Sequence, residues 1–485
     1  MARAREVEVA GEARHTGAHH DHPASTLHPG SIPLPLNAAR ASGTRFAMPS
    51  RVRILALLGL SLAAACGEPA ARPPAETVRP RVLLIGVDGA TWHVARPMLE
   101  RGELPHLAEL VERGVHGDLL SMDPMTSPVL WTTIATGSVP DRHGILHFVQ
   151  EDPSTGKEVP VSSNLRRREA LWTILTQRER TTNMVGWYAS WPAEAIQGCI
   201  VTDHLLPRAE SAFWPVSEQE EAELGGRTHP RELLREILPL VPTLEEVAIS
   251  DHLAMPPPSA RTPEEARLAR IFEPHRVDET RFRVISHLMA RGDWDLSMVL
   301  FWGIDPMSHL FWNCMEPETW HGEPVSPLVL AANRDRIQAY YRKIDGYIGR
   351  LVEQAGEDAI VVVVSDHGFG PGSIRLVGPG TPLSGDHRKE GILVAAGRPI
   401  RRGVRLDGAS IVDVTPTLLY LLGLPVGADM DGHVIEGLFE TPLSRPIESV
   451  ASWEREDRAR AAAAPIASPI DEEIREQLRA LGYLR

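Results

Sequence analysis

The sequence predicts an α/β fold with a mostly parallel central sheet and helices on both of its faces. Short apolar runs recur without polar alternation, a pattern typical of strands that are buried on both faces of a parallel sheet. The clearest runs are Val82–Val87, the four valines at 361–364, and Ile392–Ala396. Between them, apolar residues at helical spacing predict helices packed on the sheet, the longest of them over 328–355. Strands that alternate with helices in this way define the α/β class.

Composition and charge narrow the class of function. The chain has 485 residues, enough for a large core and two or three domains. Its formal net charge of −14 argues against a nucleic-acid-binding protein, because binding to a phosphate backbone needs basic patches. Three cysteines are too few for a disulfide framework, and Cys199 and Cys314 form either one bridge or two unpaired thiols.

The first 66 residues predict a leader that precedes the folded part of the chain. Residues 1–47 are rich in His, Pro and Ala and have no helical or strand period, so we interpret them as a disordered leader or as the product of a start codon assigned too early. Residues 48–66 contain two arginines, followed by an apolar stretch that is too short to span a bilayer and that ends in small residues. This composition is that of a secretory signal, and it predicts export.

Cys66 directly follows the sequence Leu-Ala-Ala-Ala and resembles the lipidated cysteine of a bacterial lipoprotein signal. Ala63 stands where leucine is usual in such signals, and the alternative is cleavage near Ala65 with release of a soluble protein. The lipoprotein reading predicts a periplasmic or cell-surface protein that is attached to the membrane through its lipid. Residues 67–79 then predict an extended linker.

Residues 80–485 predict one catalytic core that is interrupted by one insertion. Residues 80–206 and 281–485 contain the apolar strands, and the second part ends in a short C-terminal helix. Residues 207–280 are acidic and rich in proline. They predict a helical or loop insertion over the active site, where it would set specificity, and a disordered loop is the alternative.

Acidic and imidazole side chains stand at the ends of the predicted strands. Each of them alone is compatible with a turn or with a solvated helix face. Because ligands bind beyond the carboxyl ends of strands in open α/β sheets, the whole set is expected to converge there. Aspartate and histidine bind zinc or manganese, and six such residues suit two ions better than one. The set is Asp88, Asp305, His309, Asp366, His367 and His387.

Ser127 is the best candidate for a group that a metal site would activate. With Pro128 after it, Ser127 predicts a helix N-cap with proline at the first helical position, and Gly137 closes the helix. The positive end of a helix favours anions such as phosphate. A metal ion on the hydroxyl oxygen would lower its pKa and make it a nucleophile, whereas a plain N-cap is the alternative.

Five segments occur in an order that resembles the alkaline phosphatase superfamily, and most closely its type I phosphodiesterase/nucleotide pyrophosphatase branch. They are LLIGVDGATW, SPVLWTTIATGSVPDRHGI, GIDPMSH, VVVVSDHGFG and the later His387, and the resemblance covers roughly residues 80–440. In that family a Ser or Thr attacks phosphorus between two zinc ions about 4 Å apart. The resemblance therefore implies an alkaline-phosphatase-like fold and a site for two divalent ions, zinc or alternatively manganese. It implies that one ion is held by Asp88, Ser127, Asp366 and His367, and the other by Asp305, His309 and His387.

The same resemblance implies an exported phosphodiesterase that forms a phosphoseryl intermediate on Ser127, with Thr126 as the alternative nucleophile. Phe148 stands where nucleotide pyrophosphatases have an asparagine that binds a phosphoryl oxygen, so nucleotide specificity does not follow. The substrate would be a phosphoester of a small molecule, nucleotide, lipid or glycan. A phosphomonoesterase and a head-group phosphotransferase are alternatives; a sulfatase fits poorly, because Ser127 does not begin the pattern C/S-x-P-x-R. The non-enzyme alternative is an anchored binding protein that has lost its ligands.

Overall fold

The computed structural model describes residues 79–152, 155–205, 225–251, 253, 263–377, 381–440, 443–455, 466 and 471–480. The predicted leader, the signal sequence with Cys66, and the linker up to residue 78 lie outside the described residues. So do residue 206 and the first part of the predicted insertion, residues 207–224.

A nine-stranded sheet forms the centre of the molecule, in the order β13-β2-β12-β9-β1-β8-β5-β6-β7. Three two-stranded sheets lie outside it: β3-β4, β10-β11 and β14-β15. The strands are β1 (Val82–Val87), β2 (Gly114–Leu120), β3 (Val149–Asp152), β4 (Lys157–Pro160), β5 (Thr182–Val185), β6 (Gly198–Val201), β7 (Thr228–His229), β8 (Leu296–Phe301), β9 (Ile360–Val364), β10 (Gly368–Val377), β11 (Thr381–Arg388), β12 (Glu390–Ala396), β13 (Val404–Ser410), β14 (Val426–Gly427) and β15 (Ser449–Val450).

Helices cover both faces of this sheet. The α-helices are α1 (Trp92–Glu100), α2 (Pro105–Arg113), α3 (Ser127–Thr136), α4 (Pro140–His143), α5 (Leu171–Thr176), α6 (Leu233–Ile237), α7 (Leu244–Ser250), α8 (Pro263–Met289), α9 (Ile304–Met315), α10 (Pro327–Asn333), α11 (Arg336–Ala355), α12 (Val414–Leu421) and α13 (Asp471–Ala480). Short 3-10 helices occupy Ser163–Leu165, Leu238–Leu240, Pro317–Thr319, Ile411–Asp413 and Glu436–Leu438.

The central strands are buried on both faces, as the apolar runs predicted. Every residue of β1, β8 and β9 is buried. Side chains of successive strand residues point to opposite faces. Accordingly Leu83 and Ile85 join one hydrophobic cluster, whereas Val82 and Leu84 join the other. The predicted α/β class is confirmed.

The sheet is mostly parallel, with one internal exception that matters for the site. β1 pairs in parallel with both β8 and β9, and β5 pairs in parallel with β8 and β6. β12, in contrast, is antiparallel to its neighbours β9 and β2. Its beginning therefore lies at the same edge of the sheet as the ends of β1, β8 and β9.

Two predicted boundaries differ from the structure. The helix predicted over 328–355 is broken into α10 and α11, because Asp335 has a backbone (φ −102°, ψ 6°) that leaves the helical conformation. α8 continues through residue 280, where the sequence placed the end of the insertion, since its second half packs on the sheet with Val284, Ile285 and Leu288 in the core.

Cys199 and Cys314 are buried and do not pair with each other. Among the described helices, none has the length and apolar character needed to cross a membrane.

Candidate metal centre

The predicted metal ligands meet at one edge of the sheet. Asp88 directly follows β1, and Asp366 and His367 follow the adjacent β9. On the other side of β1, β8 leads into α9, which has Asp305 in its first turn and His309 one turn later. His387 comes from β11, just before the antiparallel β12. The four segments converge because parallel strand ends and the start of an antiparallel strand share an edge.

One group of ligand atoms surrounds the Oδ2 atom of Asp305. The Nε2 atom of His387 lies 3.2 Å from this oxygen, and the Nε2 atom of His309 lies 3.5 Å from it. The two imidazole nitrogens are 3.0 Å apart. Asp305, His309 and His387 can therefore offer one carboxylate oxygen and two nitrogens to a single ion.

A second group surrounds His367. Its Nε2 atom lies 3.5 Å from Asp88 Oδ1 and 3.7 Å from Asp366 Oδ2. The same nitrogen lies 3.8 Å from Asp305 Oδ2, so the Asp305 carboxylate stands between the two groups. The rings of His367 and His387 are stacked with centroids 3.8 Å apart, which places the two groups side by side.

The orientation of the imidazole rings fits a metal centre. The Nδ1 atom of His309 lies 3.0 Å from Gly385 O, that of His367 lies 3.1 Å from Gly368 O, and that of His387 lies 3.0 Å from Met125 O. A carbonyl oxygen only accepts hydrogen bonds, so each Nδ1 has the hydrogen, and a neutral ring then directs the lone pair of Nε2 into the centre. Backbone carbonyls orient metal-binding histidines in this way.

Two buried polar atoms support the same conclusion. Asp366 Oδ2 and His367 Nε2 have no hydrogen-bond partner although both side chains are fully buried. Such atoms are rare in proteins because an unsatisfied buried acceptor destabilises the fold. A divalent cation between Asp88, Asp366 and His367 would satisfy both atoms, and the mixed oxygen and nitrogen donors suit zinc or manganese.

Burial and mutual repulsion oppose the ionisation of two of the acids in the centre. Burial raises the pKa of Asp366 well above its ordinary value, and the carboxylates of Asp88 and Asp305 raise it further. Burial also raises the pKa of Asp88. Burial opposes ionisation of Asp305 too, but the neighbouring histidines outweigh it and lower its pKa. Burial lowers the pKa of His309 to about 4, so its ring is neutral and able to bind metal near pH 7.

Ser127 lies at the edge of this cluster, but its helix begins differently from the prediction. Thr126, not Ser127, is the N-cap residue: it has an extended backbone, and its carbonyl accepts hydrogen bonds from Val129 and Leu130 at 2.9 and 3.1 Å. Ser127 is the first helical residue and Pro128 the second, so the prediction of a Ser127 N-cap was wrong. The Ser127 hydroxyl is buried and donates to Asp88 Oδ1 at 3.5 Å. The Thr126 hydroxyl is buried without a hydrogen-bond partner.

The structure adds two residues that sequence reasoning missed. Trp131, one turn after Ser127, donates from Nε1 to Asp88 Oδ2 at 3.1 Å and so fixes this carboxylate. Its ring lies against Gly86, where an added Cβ would come within 2.8 Å of the indole. Asp278 in α8 accepts hydrogen bonds from the backbone of Trp302 and Gly303, just before α9. Trp131 could have been found from the sequence, because it lies one helical turn after Ser127 and so on the same face of the predicted helix. Nothing in the sequence around Asp278 distinguishes it from a surface acid.

Comparisons with known proteins found one matching family and several similar solved structures. A profile of the family described as type I phosphodiesterase / nucleotide pyrophosphatase matches residues 82–378. Solved structures similar to this chain include human ectonucleotide pyrophosphatase / phosphodiesterase 5, with 15% identity and a TM-score of 0.46. The inactive murine counterpart in complex with AMP has 14% identity and a TM-score of 0.43, and both alignments cover 74% of this chain and 100% of the solved chain. No curated protein gives a significant match.

The family match extends over more than half of the chain and includes β1, the Ser127 segment, β8 and β9 with the side chains that follow them. The chain therefore belongs to the type I phosphodiesterase/nucleotide pyrophosphatase family of the alkaline phosphatase superfamily and is a hydrolase of phosphoesters.

Proposed function

We propose that this protein is an exported phosphodiesterase that binds two divalent metal ions and uses Ser127 as its nucleophile. The observation that carries this proposal is the buried cluster itself, in which Asp366 Oδ2 and His367 Nε2 lack partners and the Ser127 hydroxyl reaches Asp88. A cluster of this kind has no evident structural purpose, because its unpaired acceptors and like charges destabilise the fold.

Each group of ligands would hold one ion. Asp88, Asp366 and His367, together with the Ser127 oxygen, would hold the first, and Asp305, His309 and His387 the second, with Asp305 between them. Zinc suits these nitrogen and carboxylate donors, and manganese is the alternative. When bound, two such ions neutralise phosphoryl charge and lower the pKa of a coordinated hydroxyl group.

The residues of the chain have separate roles in the proposed reaction. Asp88 orients the Ser127 hydroxyl, and Trp131 in turn fixes Asp88 through its indole N–H. The Ser127 hydroxyl loses its proton and its oxygen forms a bond to phosphorus while one ester P–O bond breaks. The leaving oxygen takes up a proton and departs as an alcohol, and a phosphoseryl group remains. Water then cleaves the Ser–phosphate bond, which releases a phosphomonoester and restores Ser127. The start of α3 provides a positive field for the anionic phosphoryl group.

Substitution at Ser127 tests this proposal directly. Ser127→Ala is expected to lower turnover of bis(p-nitrophenyl) phosphate by several orders of magnitude, as loss of a covalent nucleophile does in other enzymes. Metal content, measured by mass spectrometry, is expected to fall only slightly because the Asp and His ligands remain. Thr126→Ala is the matched control and should retain far more activity, and Ser127→Thr should retain a part. An active Ser127→Ala beside an inactive Thr126→Ala would assign the nucleophile to Thr126.

The type of ester bond is tested by substrate choice. Hydrolysis rates of the zinc-loaded protein are compared for p-nitrophenyl phosphate, bis(p-nitrophenyl) phosphate and p-nitrophenyl sulfate. We expect the diester to have the highest kcat/KM. A preference for the monoester would identify a phosphomonoesterase, release of p-nitrophenol that depends on an added alcohol would identify a phosphotransferase, and turnover of none would favour a binding protein.

Export and lipid attachment depend on residues outside the described part of the chain. The composition of residues 48–66 supports them, with Cys66 as the lipidated residue. Expressed from Met48 in a bacterial host, the protein is expected in the membrane fraction, and Cys66→Ser should leave an unprocessed or soluble form. If the two forms partition equally, the lipid anchor is refuted while export stands.

A further inference from the structure

A cavity of about 120 Å³ lies beside the metal centre. It is bounded by Val185 at the end of β5, Val201 at the end of β6 and Trp302 directly after β8. In the sheet order β9-β1-β8-β5-β6, these strands continue the same edge on which the metal ligands lie. Asp305 is three residues after Trp302, and neighbouring strands are about 4.8 Å apart. The cavity and the metal centre are therefore adjacent.

The first turn of α3 connects the two places. Pro128 lines the cavity and is the residue after Ser127. Tyr188 lines the cavity as well, and the preceding Trp187 donates from Nε1 to the carbonyl of Trp131 at 2.8 Å. Because Trp131 also binds Asp88, the cavity wall and the nucleophile segment are parts of one packed unit.

The surface that the cavity offers to a ligand is mainly apolar. Phe148 and Tyr188 meet edge to face with ring centroids 6.5 Å apart, and aliphatic side chains form most of the remaining apolar surface. The uncharged polar side chains of Thr202, His204 and Thr280 also line the cavity. Two of the charged groups at the cavity are engaged by the protein: Arg281 donates to Leu300 O at 2.8 Å, and Asp203 accepts from the backbone of Ala189 at 2.9 Å. Glu273 also lines the cavity. An apolar cavity of roughly 150 Å³ accommodates benzene. A cavity of about 120 Å³ therefore suits a single small ring or a short alkyl group.

The C-terminal helix α13 contributes one wall. Ile474 lines the cavity, and the neighbouring Arg475 donates to the carbonyl of Glu158 in β4 at 3.1 Å. α13 lies outside the segment that matches the family profile, which ends at residue 378. This wall is therefore a feature that the family match does not specify.

We propose that this cavity, closed by Ile474, binds an apolar group about the size of a phenyl ring on the phosphoester whose phosphorus meets Ser127. The inference rests on the proposed function and specifies its substrate class: an aryl or short alkyl ester. Phe148 then has a positive role, because it replaces a polar contact to the phosphoryl group with an apolar wall.

Binding of two phosphonates tests the proposal without turnover, since neither contains an ester bond. Calorimetry on the zinc-loaded full chain compares phenylphosphonate with methylphosphonate, which share the anionic group and differ in the apolar one. We expect phenylphosphonate to bind at least about tenfold more tightly, because burial of a ring adds apolar contact area. Equal affinities would overturn the cavity proposal alone. Binding of neither compound would overturn the proposed function and this inference with it.

Two substitutions that fill the cavity from different walls locate the binding site. Ile474→Trp on α13 and Val277→Trp on α8 are each expected to weaken phenylphosphonate binding at least about tenfold and to leave methylphosphonate unchanged. The second variant does not depend on how α13 is attached. Arg479→Trp, at an exposed position of α13, is the matched control and should bind both compounds like the unmodified protein. An unchanged preference for phenylphosphonate in both cavity variants would place the ring elsewhere and refute the proposal.

Discussion

Removal of the Asp278 carboxylate is expected to destabilise both the fold and the metal centre. This fully buried side chain accepts hydrogen bonds from the backbone N–H groups of Trp302 and Gly303, at 2.8 and 2.9 Å, and from the Tyr340 hydroxyl at 2.8 Å. These bonds hold the turn between β8 and α9, which places Asp305 in the centre.

The expected cost follows from the three donors that Asp278→Ala would leave unsatisfied. Each buried donor without a partner costs about 1–3 kcal/mol, so the free energy of unfolding should fall by roughly 3–9 kcal/mol. That is a large part of the roughly 5–15 kcal/mol typical of a folded protein. Asp278→Asn keeps one acceptor oxygen, so its free energy of unfolding should lie between those of the unmodified protein and Asp278→Ala.

Urea unfolding followed by circular dichroism measures the loss, and zinc titration of the folded proteins measures metal affinity. Asp345→Ala is the matched control: Asp345 is also a buried carboxylate, and it accepts from the backbone of His106 and Leu107 at the start of α2, away from the metal centre. Both alanine variants should lose stability, but only Asp278→Ala should lose zinc affinity. An unfolding free energy within about 1 kcal/mol of the unmodified protein, or equal losses of zinc affinity in both variants, would refute this reasoning.

Two further predictions concern the metals and the dependence of stability on pH. Chelation should abolish activity, and added zinc or manganese should restore it. His309→Ala should lower the metal content from about two ions per chain towards one, because the ligands around His367 remain. Equal loss of both ions would contradict the division of the ligands into two groups. Burial lowers the pKa of His143 to about 3 from an ordinary 6.5, and the neutral ring accepts from the Ile145 N–H and pairs with the Thr133 hydroxyl. A lowered folded-state pKa stabilises the protein above pH 6.5, and this stability is lost as the pH falls towards 3, with a loss of about 2 kcal/mol already at pH 5. His143→Gln should therefore show a smaller difference in unfolding free energy between pH 7.5 and pH 5. An identical difference in both proteins would show that folding does not lower the pKa of His143.

The sequence alone determined the features that depend only on short segments of the chain. The apolar runs of β1 and β9 identified buried parallel strands, because strands covered on both faces need no polar alternation. The acids and imidazoles directly after those runs indicated a site, because strand direction places them all at one edge. The ordered motifs were sufficient to identify the family.

Only the tertiary structure decided features that depend on distant parts of the chain. The antiparallel direction of β12 brings His387 to the centre from the start of a strand, and an apolar run reads the same in either direction. Thr126 has the extended backbone (φ −125°, ψ 127°) of the N-cap residue, although Ser-Pro favours a cap one residue later. Asp278 lies 24 residues from the backbone N–H of Trp302 that it binds, and Ile474 reaches the cavity from the far end of the chain. Such contacts form only when distant elements pack together, so the local sequence around each residue does not predict them.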